Sequence, residues 1–496
     1  MKNNIIKGSF FGVAYQIIVV IFSFTLRTVL IKELGNEYVA LVTVFTSIFG
    51  VLACLDGGMG SALFIRIHPP LWNENYEEVK RLYNLIRVVY LIRAILMVVV
   101  GIMIIPFLDV FVGDVSISHK TVLFLYIIFM ILNCSSTAYI YKVFMVETIQ
   151  FRYKTIVFQI LISIISYTIN IISLIIWKNI YMYLLLLLII PITVNIYCHR
   201  IISKQLPYLI NVKLSFKNLN KKELLDMAKL SLHSMSDIVV LNSDNLIVSS
   251  TVSFNSLAIY SNFRMITTNV QNLVMQVLFS IKDPIRKIMC TSSQDEVDKL
   301  QYLILNIYCI IANFVCISLI VMLNPFVGIW LGDSYILDNA TIILINFCLF
   351  LTIIGYPILD AYYFEECYKT DYRTPIVEIL INIFASIGFA YLLGLPGVFV
   401  GTMLYNIYKL WKRSYVYYKN VGKSNNLYFK KVFILIIYFS INILIAILFS
   451  YLIEKIDLNI YMIFLIKLIL CLILPNLLSL LIFRKDICYL MELIRK

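Results

Sequence analysis

The sequence predicts an all-α polytopic membrane protein: 14 transmembrane helices, built as two repeated six-helix bundles and two extra C-terminal helices. Three observations predict it. Of the 496 residues, 61% are hydrophobic and only 14% charged, with a mean hydropathy of +0.90; a soluble domain carries about 25% charged residues. Apolar segments long enough to cross a bilayer recur along the whole chain. Finally, "PFLDVFVGD" (106–114) returns as "PFVGIWLGD" (325–333), with Pro, Phe, Gly and Asp in register 219 residues apart.

The apolar segments lie near 9–33, 39–65, 80–105, 121–141, 155–177, 180–199, 227–251, 255–281, 301–323, 340–364, 375–394, 397–411, 432–453 and 459–483. They must be helices, because in lipid every backbone N–H and C=O needs an internal partner and barrel strands would alternate. The first is Lys-flanked, which raises a signal peptide. No small-x-small cleavage site comes after it and it is as long as a full span, so it reads as an uncleaved first helix.

Lys and Arg orient the chain. With the N-terminus in the cytoplasm, 31 of the 41 fall in cytoplasmic segments. Only Lys32, Lys120, Lys178 and Lys455 fall outside, and Arg27, Arg87, Arg93, Lys229, Arg264 and Lys467 lie within spans. Both termini are therefore expected in the cytoplasm. The net charge of +13 is accounted for by basic loops facing an anionic leaflet, so no nucleic-acid partner is implied. The ten cysteines include no C-x-x-C and the four histidines show no metal spacing. "GKS" at 422–424 fails the phosphate-loop pattern, because Tyr417 stands where the first Gly belongs. No catalytic residue, metal site or cofactor is expected.

The 219 offset holds elsewhere. It pairs Glu77 with Glu296, Lys80 with Lys299, Tyr83 with Tyr302, Glu147 with Glu366, Tyr153 with Tyr372, Lys154 with Arg373 and Thr155 with Thr374. Apolar helices resemble one another by chance, but polar and turn residues do not keep one offset by chance from 76 to 164. Near the first hairpin the offset is 218 and the match weaker. Each repeat holds six helices, an even number, so both have the same membrane orientation and enclose a central cleft. The expected organisation is a first bundle over 1–205, an amphipathic cytoplasmic linker over 206–226, a second bundle over 227–422, and helices 13 and 14 within 423–496. At the motif itself, Gly113 and Gly332 are expected to permit a turn, and Asp114 and Asp333 to cap the next segment.

Ionisable residues inside a membrane are costly unless they face protein or water, so each is a site candidate. The hairpin over 236–276 is the most polar. Its apex is expected near Phe254, with Asp244 ten residues before and Arg264 ten after. This predicts an Asp244–Arg264 contact, with Asp237 on the face of Asp244. Such a pair can be structural or functional. Arg27 in the first span matches Asn245 under the 218 offset; it has no evident partner in span 2 and reads as an anion ligand. Asp56, in "LDGGMGSAL" (55–63), and Arg93 complete the deep charges. Lys467 is expected to snorkel.

"SDNLIVSSTVSFNSLAIYSNFRMI" (243–266), "LNPFVGIWLGDSYIL" (323–337), "LGLPGVFVGTMLYNI" (393–407) and "LIKELGNEYVALVTVFTSIFGVLACLDGGMGSAL" (30–63) resemble the multidrug/oligosaccharidyl-lipid/polysaccharide exporter superfamily, above all the Wzx-type flippases of O-antigen or capsule repeat units. The resemblance covers about residues 8 to 420. It implies a V-shaped central cleft, alternating access, and residence in the bacterial inner membrane. It also implies a substrate: an undecaprenyl-diphosphate-linked oligosaccharide for O-antigen, capsule or lipopolysaccharide, with a polymerase and other assembly proteins as partners. Arg27, Arg93 and Arg264 would then meet the diphosphate, with Asn245 and Asp56 beside it. Asp237, Asp244 and Asp56 would hold a coupling H+ or Na+, or restrain the arginines. Lys80 and Arg81 would attract the head group at one mouth, and Asp360, Glu365 and Glu366 would serve an inner gate. A drug/cation antiporter is the rival within the superfamily. A polysaccharide polymerase or glycosyltransferase is the rival outside it, and the short external segments oppose an enzyme.

Overall fold

The computed structural model describes residues 2–54, 59–113, 115–149, 151–216, 221–279, 294–421, 425–456 and 459–484. It is all-α, with no strand among the described residues. The chain divides into two compact units, Met1–Ser261 and Asn262–Lys496.

The first unit runs through α1 (Lys2–Leu34), α2 (Asn36–Ala53), α3 (Met59–Trp72), α4 (Tyr76–Ile104), α5 (Leu108–Val112), α6 (His119–Tyr139), α7 (Tyr141–Thr148), α8 (Arg152–Trp177), α9 (Ile180–Leu187), α10 (Ile189–Gln205) and α11 (Lys221–Ile247). α12 (Phe254–Phe279) begins in this unit and ends in the next. The second unit continues with α13 (Gln294–Leu331), α14 (Asn339–Phe364), α15 (Thr374–Leu393), α16 (Leu395–Asn420), α17 (Asn426–Glu454) and α18 (Ile460–Ile482). Among the described residues, ten helices are long and apolar enough to cross a membrane. α11, α12 and α16 fall outside that set, in keeping with the polar residues they carry.

The expected second span is not one helix: α2 and α3 are separate, with Leu55–Gly58 outside the described residues. Asp56 therefore lies outside them too. The hairpin apex falls where expected. α11 passes through a π-turn (Val248–Val252), Ser253 is extended, and α12 starts at Phe254. The Ser253 hydroxyl accepts from the backbone N–H of Ser256 at 3.0 Å, capping α12.

The duplicated motif forms one kind of joint in both units. Gly113 has φ 61°, ψ −159°, and Gly332 has φ 101°, ψ 165°. That region of backbone space is open in practice only to glycine, so the expected turn is found at both. The capping expectation is not met at Asp333, which opens a 3-10 turn; the cap of α14 is Asp338, accepting from the Thr341 N–H at 2.8 Å. In the first unit Ser118 caps α6, accepting from Thr121 N–H at 3.3 Å, and Asp114 lies outside the described residues.

The stretch between α10 and α11 is tied to α4 where it is described. Asn84 donates to the Ser215 carbonyl at 2.7 Å and accepts from the Ser215 N–H at 3.0 Å, while Arg87 donates to the Val212 carbonyl at 2.6 Å. Arg87 is thus spent on the backbone. α17 and α18 belong to the core of the second unit: the Phe439 ring stacks on Phe350 at 3.9 Å, and Tyr438 joins Asn313 to Ser479. Lys467 is 2% exposed and bonded to Glu454, the last residue of α17.

α15 and α16 form the tightest helix pair. "GVFVG" (397–401) is a small-xxx-small pattern, which lets backbones touch in a membrane. A Cβ on Gly397 would lie 2.0 Å from the Phe389 carbonyl oxygen, and one on Gly401 would lie 2.3 Å from the Ser386 nitrogen. Gly401→Leu is therefore expected to lower the thermal unfolding midpoint in detergent, costing on the order of 1–3 kcal/mol through overpacking. Gly388→Ala, at a helix position with open space around it, should leave the midpoint unchanged or raise it slightly.

Candidate functional site

In the first unit the polar residues of α11 and α12 meet α1 and α2. Asn245 donates to the Ser47 hydroxyl at 2.8 Å. One turn earlier Asn242 occupies the space over Gly50, where a Cβ would come within 2.3 Å of its oxygen. Asn242 also donates to the Ile238 carbonyl at 2.7 Å. α2 thus accepts the polar face of α11 through a serine and a glycine. Asp244 is 1% exposed beside this seam, and Asp237 is half-buried two turns away.

Arg27 is half-buried on α1, and its Nη2 donates to the Ser261 hydroxyl on α12. Ser261 passes a hydrogen bond on to the Ala258 carbonyl at 2.8 Å. Tyr183 of α9 lies within electrostatic range of the guanidinium. This bond ties α1 to α12 and orients the guanidinium. Chain order offers no means of finding Ser261, which stands 234 residues away.

Arg93 is engaged differently. It is 8% exposed, its Nη2 donates to the Ala53 carbonyl at 2.9 Å, and it lies 5.6 Å from the Tyr90 ring centroid. Ala53 is the last residue of α2. A cation there meets the negative end of the helix dipole and an orphan carbonyl. Arg264 is half-buried on the part of α12 that belongs to the second unit. The Asp244–Arg264 contact concerns residues of different units and stands as an expectation. Lys80 and Arg81 are bonded to Glu77 and Glu78 at 2.8 and 2.7 Å, and Glu366 to Lys369.

The second unit holds a charge pair that the hydropathy pattern hides. Arg413 on α16 donates from Nε and Nη2 to the two carboxylate oxygens of Glu378 on α15, at 2.8 and 2.6 Å; both residues are 0% exposed. Nη1 donates to the Tyr363 hydroxyl at 3.1 Å, and the guanidinium lies 5.9 Å from the Tyr362 ring centroid. Tyr362 donates to Asp371 at 3.0 Å, which also accepts from Thr374 at 2.5 Å. Arg413 lies past the end of the apolar run expected over 397–411, on a helix that continues to Asn420. The signal is present in the chain: Thr374, Glu378, Asn382 and Ser386 repeat every fourth residue, one buried polar stripe on α15. Thr155 and Ser163 on α8, 219 residues before Thr374 and Asn382, are buried likewise.

No protein-family model and no curated protein sequence matches the chain. Solved structures do, some of them transporters of the MOP superfamily, and the likeness is one of fold. The lipid II flippase MurJ in an inward closed conformation is similar over 96% of this chain and 100% of its own, with a TM-score of 0.67 and 16% identity. An inward-facing multidrug resistance MATE transporter of the same superfamily covers 84% of this chain and 99% of its own, at a TM-score of 0.57 and 12% identity. A MOP superfamily transporter from Pyrococcus furiosus covers 84% and 96%, at 0.55 and 14%. At these identities the likeness defines the fold, a multi-pass membrane architecture.

Arg413→Met should lower the unfolding midpoint in detergent sharply, since stripping a partner from a buried ion pair costs about 3–5 kcal/mol. Replacing both members, Glu378→Met with Arg413→Met, should recover most of that loss. A double variant no better than the single one would show that the charges are not coupled.

Proposed function

We propose that the chain is a flippase for undecaprenyl-diphosphate-linked oligosaccharide, moving O-antigen or capsule repeat units across the bacterial inner membrane by alternating access. The observation that carries the reading is the likeness to a lipid II flippase along the full length of both chains. Arg27 supports it: a guanidinium in a membrane helix, oriented by a hydroxyl, suits a diphosphate, which accepts paired N–H donors. Arg264, Asn245 and Asp56 are the further candidate ligands of the substrate. Arg93, held on the end of α2, positions that helix and meets substrate only by leaving Ala53. Asp237 and Asp244 take the coupling ion, H+ or Na+, or restrain Arg264. Basic loops and both termini face the cytoplasm, and a polymerase and other assembly proteins receive the product.

The MATE likeness keeps a drug/cation antiporter as the second reading. Deletion decides between them. A flippase loss leaves lipid-linked repeat units on the inner face and strips the surface polysaccharide, whereas an antiporter loss changes drug tolerance with the polysaccharide intact. Arg27→Ala is expected to abolish export while the protein still reaches the membrane, with Arg27→Lys retaining part of it. Normal export in Arg27→Ala removes this residue from the site.

A further inference from the structure

The turn between α1 and α2 faces the start of α6 across an open surface pocket of about 480 Å³ within the first unit. That volume lies in the range of small-molecule sites. We propose that this pocket is a saccharide subsite, taking a short neutral segment of the oligosaccharide; the inference rests on the flippase reading.

Among the described residues its lining is mostly polar, with Leu34 and Ile117 its aliphatic members, and contains no Lys or Arg. Glu37 is the charged group and its carboxylate is fixed in place: one oxygen accepts from the Ser116 hydroxyl at 2.5 Å and the other from the Ser116 N–H at 3.3 Å. An ionised carboxylate has about four acceptor positions, so capacity is left for donors from a ligand. Ser118 and Thr121 share a hydrogen bond at 2.9 Å on the opposite wall. Tyr38 adds an aromatic residue to the lining. Nearby Lys178 is bonded to Glu33 at 2.8 Å.

This lining selects by chemistry. A diphosphate finds a carboxylate and no counter-ion, so the lipid head group is repelled. An apolar chain finds hydroxyls and an acid that it cannot satisfy. A sugar offers vicinal hydroxyls that donate to Glu37 and accept from Ser118 or Thr121, and a face of C–H groups to lie on Tyr38. The pocket therefore sorts the glycan from its carrier: arginine takes the diphosphate elsewhere, and this turn takes rings.

The test is saturation-transfer NMR on the purified full-length chain in detergent, with maltotriose, chitotriose and inorganic pyrophosphate as probes. Saturation transfer is expected to at least one trisaccharide, insensitive to added pyrophosphate. Glu37→Ala should weaken binding roughly tenfold, as for loss of a hydrogen bond to a charged acceptor. Thr121→Trp, which fills the pocket and leaves the Glu37–Ser116 bonds alone, should abolish it. Silence of both trisaccharides, or binding unchanged in both variants, overturns the proposal. Lost surface polysaccharide on deletion with no saccharide signal would sink this subsite and spare the flippase reading. A saccharide signal in a protein whose deletion leaves the polysaccharide intact would do the reverse.

Discussion

In hydrocarbon no water stands ready to satisfy a polar group, so each buried donor or acceptor must be answered by protein. Much of this structure is a consequence of that constraint. Helices satisfy the backbone, and the side chains that remain polar decide which helices meet. Asn245 finds Ser47 and Asn242 fills the space over Gly50, so α11 is joined to α2. Arg413 finds Glu378, so α16 is joined to α15 at the far end of a hairpin that Gly397 and Gly401 have already brought into backbone contact. Apolar surface alone could not specify these pairings, because lipid tails are as apolar as leucine.

The same constraint separates two kinds of buried cation. Arg413 is matched by a carboxylate with both oxygens engaged, and Arg93 is aimed at the carbonyl end of a helix. Each completes a local charge balance and holds helices together. Arg27 donates to the Ser261 hydroxyl, a bond that joins α1 to α12.

Much of the fold is legible in the chain because it rests on hydropathy and on one repeated spacing. Ten helices apolar enough to span a membrane, the Ser253 apex and the turns at Gly113 and Gly332 arise from patterns a few residues long. The site is legible in composition and not in pairing. Arg27 stands out as a charge in an apolar run, but its partner Ser261 is one hydroxyl among many. Arg413 escapes because counting charges as loop residues assumes that helices end where hydrophobicity does, and α16 continues for a further two turns with buried charges inside it. Lys467 likewise has its partner, Glu454, on another helix, which hydropathy does not reveal.

Gly113 and Gly332 occupy a region of backbone space that a side chain all but closes. After a duplication, surface residues drift freely and even buried ones exchange volume with their neighbours. A position that admits essentially one amino acid cannot drift without breaking the joint. The correspondence between the two copies of the motif is therefore written in torsion angles as well as in letters, at Gly113 and Gly332.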